Sequence, residues 1–150
     1  MHTHIHRLLL FAAFLCPGTP SPGQTHYTPA SPLGIWMTTD DQTGEVKSHI
    51  QIYEHEGRQF GKVIKALRAS VNHPCNKCEG ERKNQPILGM VIIENMMFKD
   101  GYWQGGRVLF PKQGKWYPLK YWLQPGDPNR LVVRGSLGPF YRTQYWQRVE

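Results

Sequence analysis

From Leu33 onward the chain is a succession of short apolar-rich segments cut by turn residues. None of them carries a helical period with caps. The segment VKSHIQIYEH alternates cleanly. Val46, Ser48, Ile50 and Ile52 fall on one side; Lys47, His49, Gln51, Tyr53 and His55 fall on the other. Strict alternation of this kind is the mark of a half-buried strand. Seven further segments read as strands: GIWMTT, QFGKVIKAL, ILGMVIIENM, YWQGGRVLF, WYPLKYWLQ, RLVVRGSL and RTQYWQRV. Turns at Gly57, Asp100-Gly101, PKQGKW, QPGDPNR and LGPFY separate most of them. A polar loop over roughly 69–86 is the longest break. Strands spaced by roughly 10–14 residues with tight turns define an all-β sandwich or barrel. Short connections make sequence neighbours pair antiparallel. Eight strands in meander order hide their edges most simply by closing, so the expected fold is a small antiparallel up-and-down β-barrel. Gly61, Gly89, Gly105, Gly106 and Gly135 lie within the strand segments, where glycine marks a bulge or bend.

The first thirty residues differ in kind. A polar start ends in Arg7, and an apolar run from Leu8 to Leu15 follows. That run is too short to span a bilayer and has the form of a signal-peptide core. The expected organisation is a signal peptide over 1–24, a Pro/Ser/Thr-rich lead-in over 25–32 and one barrel domain over 33–150. The protein is then exported, to the periplasm or outside the cell, with no transmembrane segment once the signal is removed. Lipid attachment at Cys16 is disfavoured, because the bulky Leu15 precedes it. The 18 Lys and Arg outnumber the 11 Asp and Glu. They are scattered and form no run of like charge, which speaks against nucleic acid as a partner.

The ordered pieces GIWMTTDDQTG, FGKVIKAL, CNKCEG, QPILGMVII, WQGGRVLFPKQGKWY, LVVRGSLG and TQYWQR resemble the domain of unknown function 2147 family (DUF2147) of bacterial exported proteins. The resemblance spans about 33–149. It implies a lipocalin-like barrel and carries no agreed activity. It also implies a structural contact: in lipocalin-like barrels a late Arg lies over an early Trp and closes one end. Here that places Arg148, or failing it Arg134, over Trp36. A cation–π pair of this kind contributes about 0.5–2 kcal/mol.

Cys75 and Cys78 form a C-x-x-C inside the long loop. In an oxidising compartment a close pair is usually a disulfide. Its four-residue ring would stabilise by about 2 kcal/mol, enough to stiffen the loop. A thiol-disulfide factor would place the first Cys at a helix N-terminus, and EGERKNQP carries no apolar stripe. Zinc would need four ligands; His73 could add a third, and there is no second C-x-x-C. The staple is the expected role. His49 and His55 lie about 20 Å apart along one strand and cannot share a metal. Asp40 and Asp41 are expected to shape a turn. No G-x-S-x-G or phosphate-binding glycine loop occurs. No metal, cofactor or catalytic residue is therefore expected, and the chain leans away from being an enzyme.

Aromatic residues crowd the second half: Trp103, Trp116, Tyr117, Tyr121, Trp122, Tyr145 and Trp146. Packing of the core and of the surface accounts for such residues in any barrel. As a ligand site, Trp103, Trp116, Tyr121, Trp122 and Tyr145 would line a pocket for one small hydrophobic or amphipathic molecule at the barrel mouth. The expected function is thus a non-enzymatic envelope binding protein. An interaction module acting through its aromatic surface is the alternative, and a thiol-disulfide factor using Cys75 and Cys78 is the weaker one.

Overall fold

The computed structural model describes residues 30–67 and 73–149. The segment expected to be a signal peptide, most of the expected lead-in, Cys16 and part of the long loop lie outside these residues. Eight strands follow in order: β1 Gly34–Thr39, β2 Val46–His55, β3 Arg58–Ala66, β4 Val91–Lys99, β5 Tyr102–Phe110, β6 Lys115–Gln124, β7 Asp127–Leu137 and β8 Phe140–Arg148. Each pairs antiparallel with the next, and β8 returns to β1 through Trp36–Arg148 and Met37–Gln147, so the sheet is a closed barrel. Closure gives every strand among the described residues two neighbours, with the β1–β8 seam only two residue pairs long.

Three strand boundaries differ from the sequence expectation. Ile87 to Met90 do not extend β4. Gly89 has φ 86°, and the Gly89 and Met90 backbones bond to Val63 O and Ile87 O, so these residues turn into the sheet before β4 begins. Gly89 is therefore a turn glycine. β7 begins at Asp127, earlier than the turn residues Asp127-Pro128-Asn129 indicate, and β8 takes in Phe140 and Tyr141. Both extra pieces lengthen the tight hairpins at Gly126 and Gly138, which supply the positive φ those turns need.

Side chains at alternate positions fill the interior. Trp36, Ile50, Ile52, Ile93, Met96, Tyr121 and Leu131 are almost fully buried there. Two glycines make the curvature sterically feasible. A Cβ on Gly106 would stand 2.1 Å from Glu94 O, and one on Gly61 would meet the Ile93 side chain at 2.8 Å. Beside them the register slips, between Gln59 and Gly61 and between Trp103 and Gly106. Such bulges bend a strand and let a small barrel close.

In this topology the β1–β2, β3–β4, β5–β6 and β7–β8 connections share one end, and the chain termini share the other with the remaining three turns. The two ends are built differently, and that difference defines the candidate site.

Candidate functional site: the open end of the barrel

At the terminal end the interior is filled. Trp36 has no exposed surface and donates from Nε1 to Pro32 O at 2.7 Å. Arg148, its register partner on β8, lies over the ring with Cζ 4.2 Å from the centroid. The guanidinium also donates to Leu33 O, Ser31 O and Pro128 O at 2.8, 2.7 and 3.2 Å. Loss of solvent around it lowers its pKa. Arg134, the other candidate for this contact, faces outward between Trp122 and Tyr141 and donates to Thr143 Oγ1. Deeper in, the Tyr121 hydroxyl donates to Gln59 Oε1 at 2.7 Å, and both residues are buried. Burial pushes the Tyr121 pKa far up from its ordinary value, because the phenolate would have no solvent.

At the other end the barrel is hollow. A cavity of about 390 Å³ opens there. Its walls are apolar, with Ile50, Val63, Leu119, Val133 and Trp146 pointing in. A buried hydroxyl pair, Thr38 Oγ1 and Ser48 Oγ at 2.8 Å, interrupts them. Charged and amide groups ring the mouth: Lys47, Lys112, Arg142, Asp40, Gln113 and Gln144. Asp41, from the β1–β2 turn, accepts from Arg142 Nε at 2.7 Å and also from Arg142 Nη2. Gln144 Nε2 donates to both of its oxygens at 3.0 and 3.1 Å. Mixed apolar walls with a few convergent polar groups are the usual form of a small-molecule site, and the volume is in the usual range.

The stapled loop stands beside this mouth. Cys75 and Cys78 are joined as a disulfide with Cα atoms 5.3 Å apart. Both are buried in the hydrophobic core cluster, together with Ile87 and Met90. Cys75 N donates to Gln85 O, and Asn84 N to Cys75 O, so the staple also closes the loop on itself. The loop docks on the β5–β6 turn: Cys75 Sγ lies 3.5 Å from Pro111 O, and the Lys77 carbonyl packs against Gly114. A second anchor comes from Arg82, which pairs with Glu94 and stacks over Trp116 at 5.1 Å. Arg107 pairs with the same carboxylate at 3.0 Å and covers the same ring at 4.3 Å. Ile87 thereby reaches the cavity wall.

None of the five aromatic residues singled out from sequence lines this cavity. Trp116, Trp122 and Tyr145 are on the outer face, each with a cation at its ring: Arg107 at 4.3 Å, Arg134 at 5.2 Å and Arg130 at 4.6 Å. Tyr121 is in the filled half. Trp103 and Trp122 border a separate depression of about 410 Å³ among the turns at the terminal end, with Phe98 and Tyr102. The strand period separates these groups. On β6, Tyr117, Leu119 and Tyr121 share one side while Trp116, Lys120 and Trp122 share the other. The residues that do line the cavity, apolar and polar alike, were not singled out from sequence as ligand residues, and the polar ones carried a readable signal. Ser48 is in register with the apolar Ile50 and Ile52, and Arg142, Gln144 and Trp146 share parity with Arg148. A polar residue on the inward parity of a strand is the signal that identifies them. His49 and His55 take no part, and no group of metal-ligating side chains occurs among the described residues.

These features define an eight-stranded lipocalin-like barrel, filled at one end and hollow at the other. The chain belongs to the bacterial family described as uncharacterised proteins conserved in bacteria (DUF2147), which it matches over residues 34–148. Its fold is similar to that of a solved structure, protein HP1028 from the human pathogen Helicobacter pylori, described as belonging to the lipocalin family. The TM-score is 0.66 at 18% identity, covering 79% of this chain and 82% of the other. No curated protein matches the chain. No helix among the described residues is long and apolar enough to cross a membrane.

Proposed function

We propose that this protein is an exported, non-enzymatic binding protein that holds one small hydrophobic or amphipathic molecule in the open end of its barrel. One observation carries the reading: the interior beside the stapled loop is a cavity of about 390 Å³ with apolar walls and a polar rim, whereas the other end is filled. A barrel that served only as a scaffold would gain stability by filling that space too. Gly135 supports the same reading, since it lines the cavity and nothing lies within 4 Å of where its Cβ would be. The burial of Cys75 and Cys78 favours a staple over a redox factor, which needs its attacking sulfur at the surface. Native mass spectrometry of protein purified from its own cells tests the function. The expected spectrum contains a species heavier than the polypeptide by one small organic molecule. Bare polypeptide alone under gentle ionisation would count against it.

A second reading has its own observation. Tyr141 and Tyr145, on the outward parity of β8, are 65% and 51% exposed, with Arg134 and Arg130 over their rings. An interaction module would use this outer face. Substituting Tyr141 and Tyr145 with Ser would then abolish partner capture without altering ligand retention.

A further inference from the structure

Resting on that ligand-binding reading, we propose that the ligand is an anionic amphiphile and that Asp41 occupies the place of its head group until the ligand displaces it. Three donors converge on the Asp41 carboxylate: Arg142 Nε, Arg142 Nη2 and Gln144 Nε2. An arginine fork with an added amide is the arrangement that grips a planar carboxylate or a phosphate. Both donor residues come from the inward parity of β8 and line the cavity. The acceptor belongs to the β1–β2 turn, which closure sets beside β8 although it is 101 residues away in sequence.

Asp41 can leave without unmaking that turn, because the neighbouring Asp40 closes it. Gln42 N and Thr43 N donate to Asp40 Oδ1, and Gly44 N donates to Asp40 O. The pair is also open to water, with side chains 52% exposed for Arg142 and 34% for Asp41. Such an ion pair is weak enough for a competing anion to replace.

The surroundings suit an anion with a tail. Lys47 and Lys112 stand on the cavity lining with Arg142, against Asp40. Gly135 is the register partner of Arg142, so free space adjoins Arg142 on its β7 side. Below it, Val133, Leu119, Val63 and Trp146 continue the wall inward. The four steps of strand from Arg142 to Trp146 span about 13 Å, a length that suits a medium acyl chain.

Calorimetry on delipidated full-length protein tests this with dodecanoate, dodecyl phosphate, dodecanol and dodecyltrimethylammonium. Dodecanoate or dodecyl phosphate is expected to bind at least about tenfold more tightly than dodecanol, and the tighter of the two assigns the head chemistry. Arg142→Gln should erase that preference while leaving dodecanol unchanged. Asp41→Asn should tighten dodecanoate about three- to sixfold by removing the internal competitor. An independent readout is the Arg142 Nε–H signal in nitrogen-edited NMR. It should shift in Asp41→Asn and return toward its wild-type position when dodecanoate is added. Equal affinity for dodecanol and dodecanoate, unaffected by Arg142→Gln, would overturn the anionic head and leave the cavity reading standing. Preference for dodecyltrimethylammonium would overturn it as well. Failure of all four amphiphiles to bind would defeat both.

Discussion

Replacing Arg148 with Met tests the idea that the filled end is held shut from outside the core. The guanidinium covers Trp36 and donates to three backbone carbonyls. Those carbonyls belong to the chain before β1 and to the β6–β7 hairpin, so one side chain ties three segments together. Methionine keeps the aliphatic stem and removes the charge and the fork. The cation–π contact contributes about 0.5–2 kcal/mol. The three hydrogen bonds add about 0.5 kcal/mol each, at the low end because water can replace them. The expected loss is about 2–3.5 kcal/mol, or roughly 10 °C in Tm for a domain of this size. Arg148→Lys restores the cation without the fork and should recover about half. Thermal and urea denaturation of the three proteins supply the numbers. A melting temperature for Arg148→Met within about 1 °C of wild type would refute the reasoning, because it would show the contacts contribute nothing beyond packing.

Three further outcomes follow from the geometry. Gly114 has φ 68°, and a Cβ there would stand 1.7 Å from the Lys77 carbonyl, so Gly114→Ala should undock the stapled loop; faster reduction of the Cys75–Cys78 bond by dithiothreitol and a Tm lower by several degrees are the readouts. Replacing both Cys75 and Cys78 with Ser should cost about 2 kcal/mol in urea unfolding while the barrel's far-ultraviolet circular dichroism is kept. Tyr121 stays protonated in the fold to well above the 10.0 of a free tyrosine, while the unfolded chain ionises from that point. Its contribution is therefore fully present below pH 10 and is lost as pH rises beyond it, at up to about 1.4 kcal/mol per pH unit. Tyr121→Phe should flatten that alkaline decline, measured as urea midpoints between pH 9 and pH 11.

The strand count and the closed meander were legible because alternation and turn residues are local signals. VKSHIQIYEH shows it best: the side holding Ser48, Ile50 and Ile52 is the buried one. Export and most of the lead-in rested on residues 1–29, which the structure does not describe. The site was less legible. Aromatic residues drew attention by size, yet on β6 adjacent positions face opposite ways, so Trp116 and Trp122 emerge on the surface while Tyr117 and Leu119 line the cavity. Reading parity along β4 and β5 fails at Asn95 and Gly105, whose positive φ marks bulges that interrupt the alternation. The Asp41–Arg142 contact spans 101 residues of sequence and becomes visible only when β1 and β8 are joined by closure. The loop's anchorage through Arg82, Glu94 and Trp116 has no local signal at all, since it depends on where the loop lands.

The central claim is that the ligand lies inside the open end. Val132 and Val133 are consecutive on β7; Val133 lines the cavity, and Val132 faces outward beside Trp122 and Tyr145. Nuclear Overhauser contacts from the chain protons of bound dodecanoate to methyl-labelled protein distinguish the two faces directly. Contacts to the methyls of Val133, Leu119 and Val63, with none to Val132, are predicted. Contacts to Val132 and to the outer rings of Trp122 and Tyr145, with none to Val133, would contradict the account.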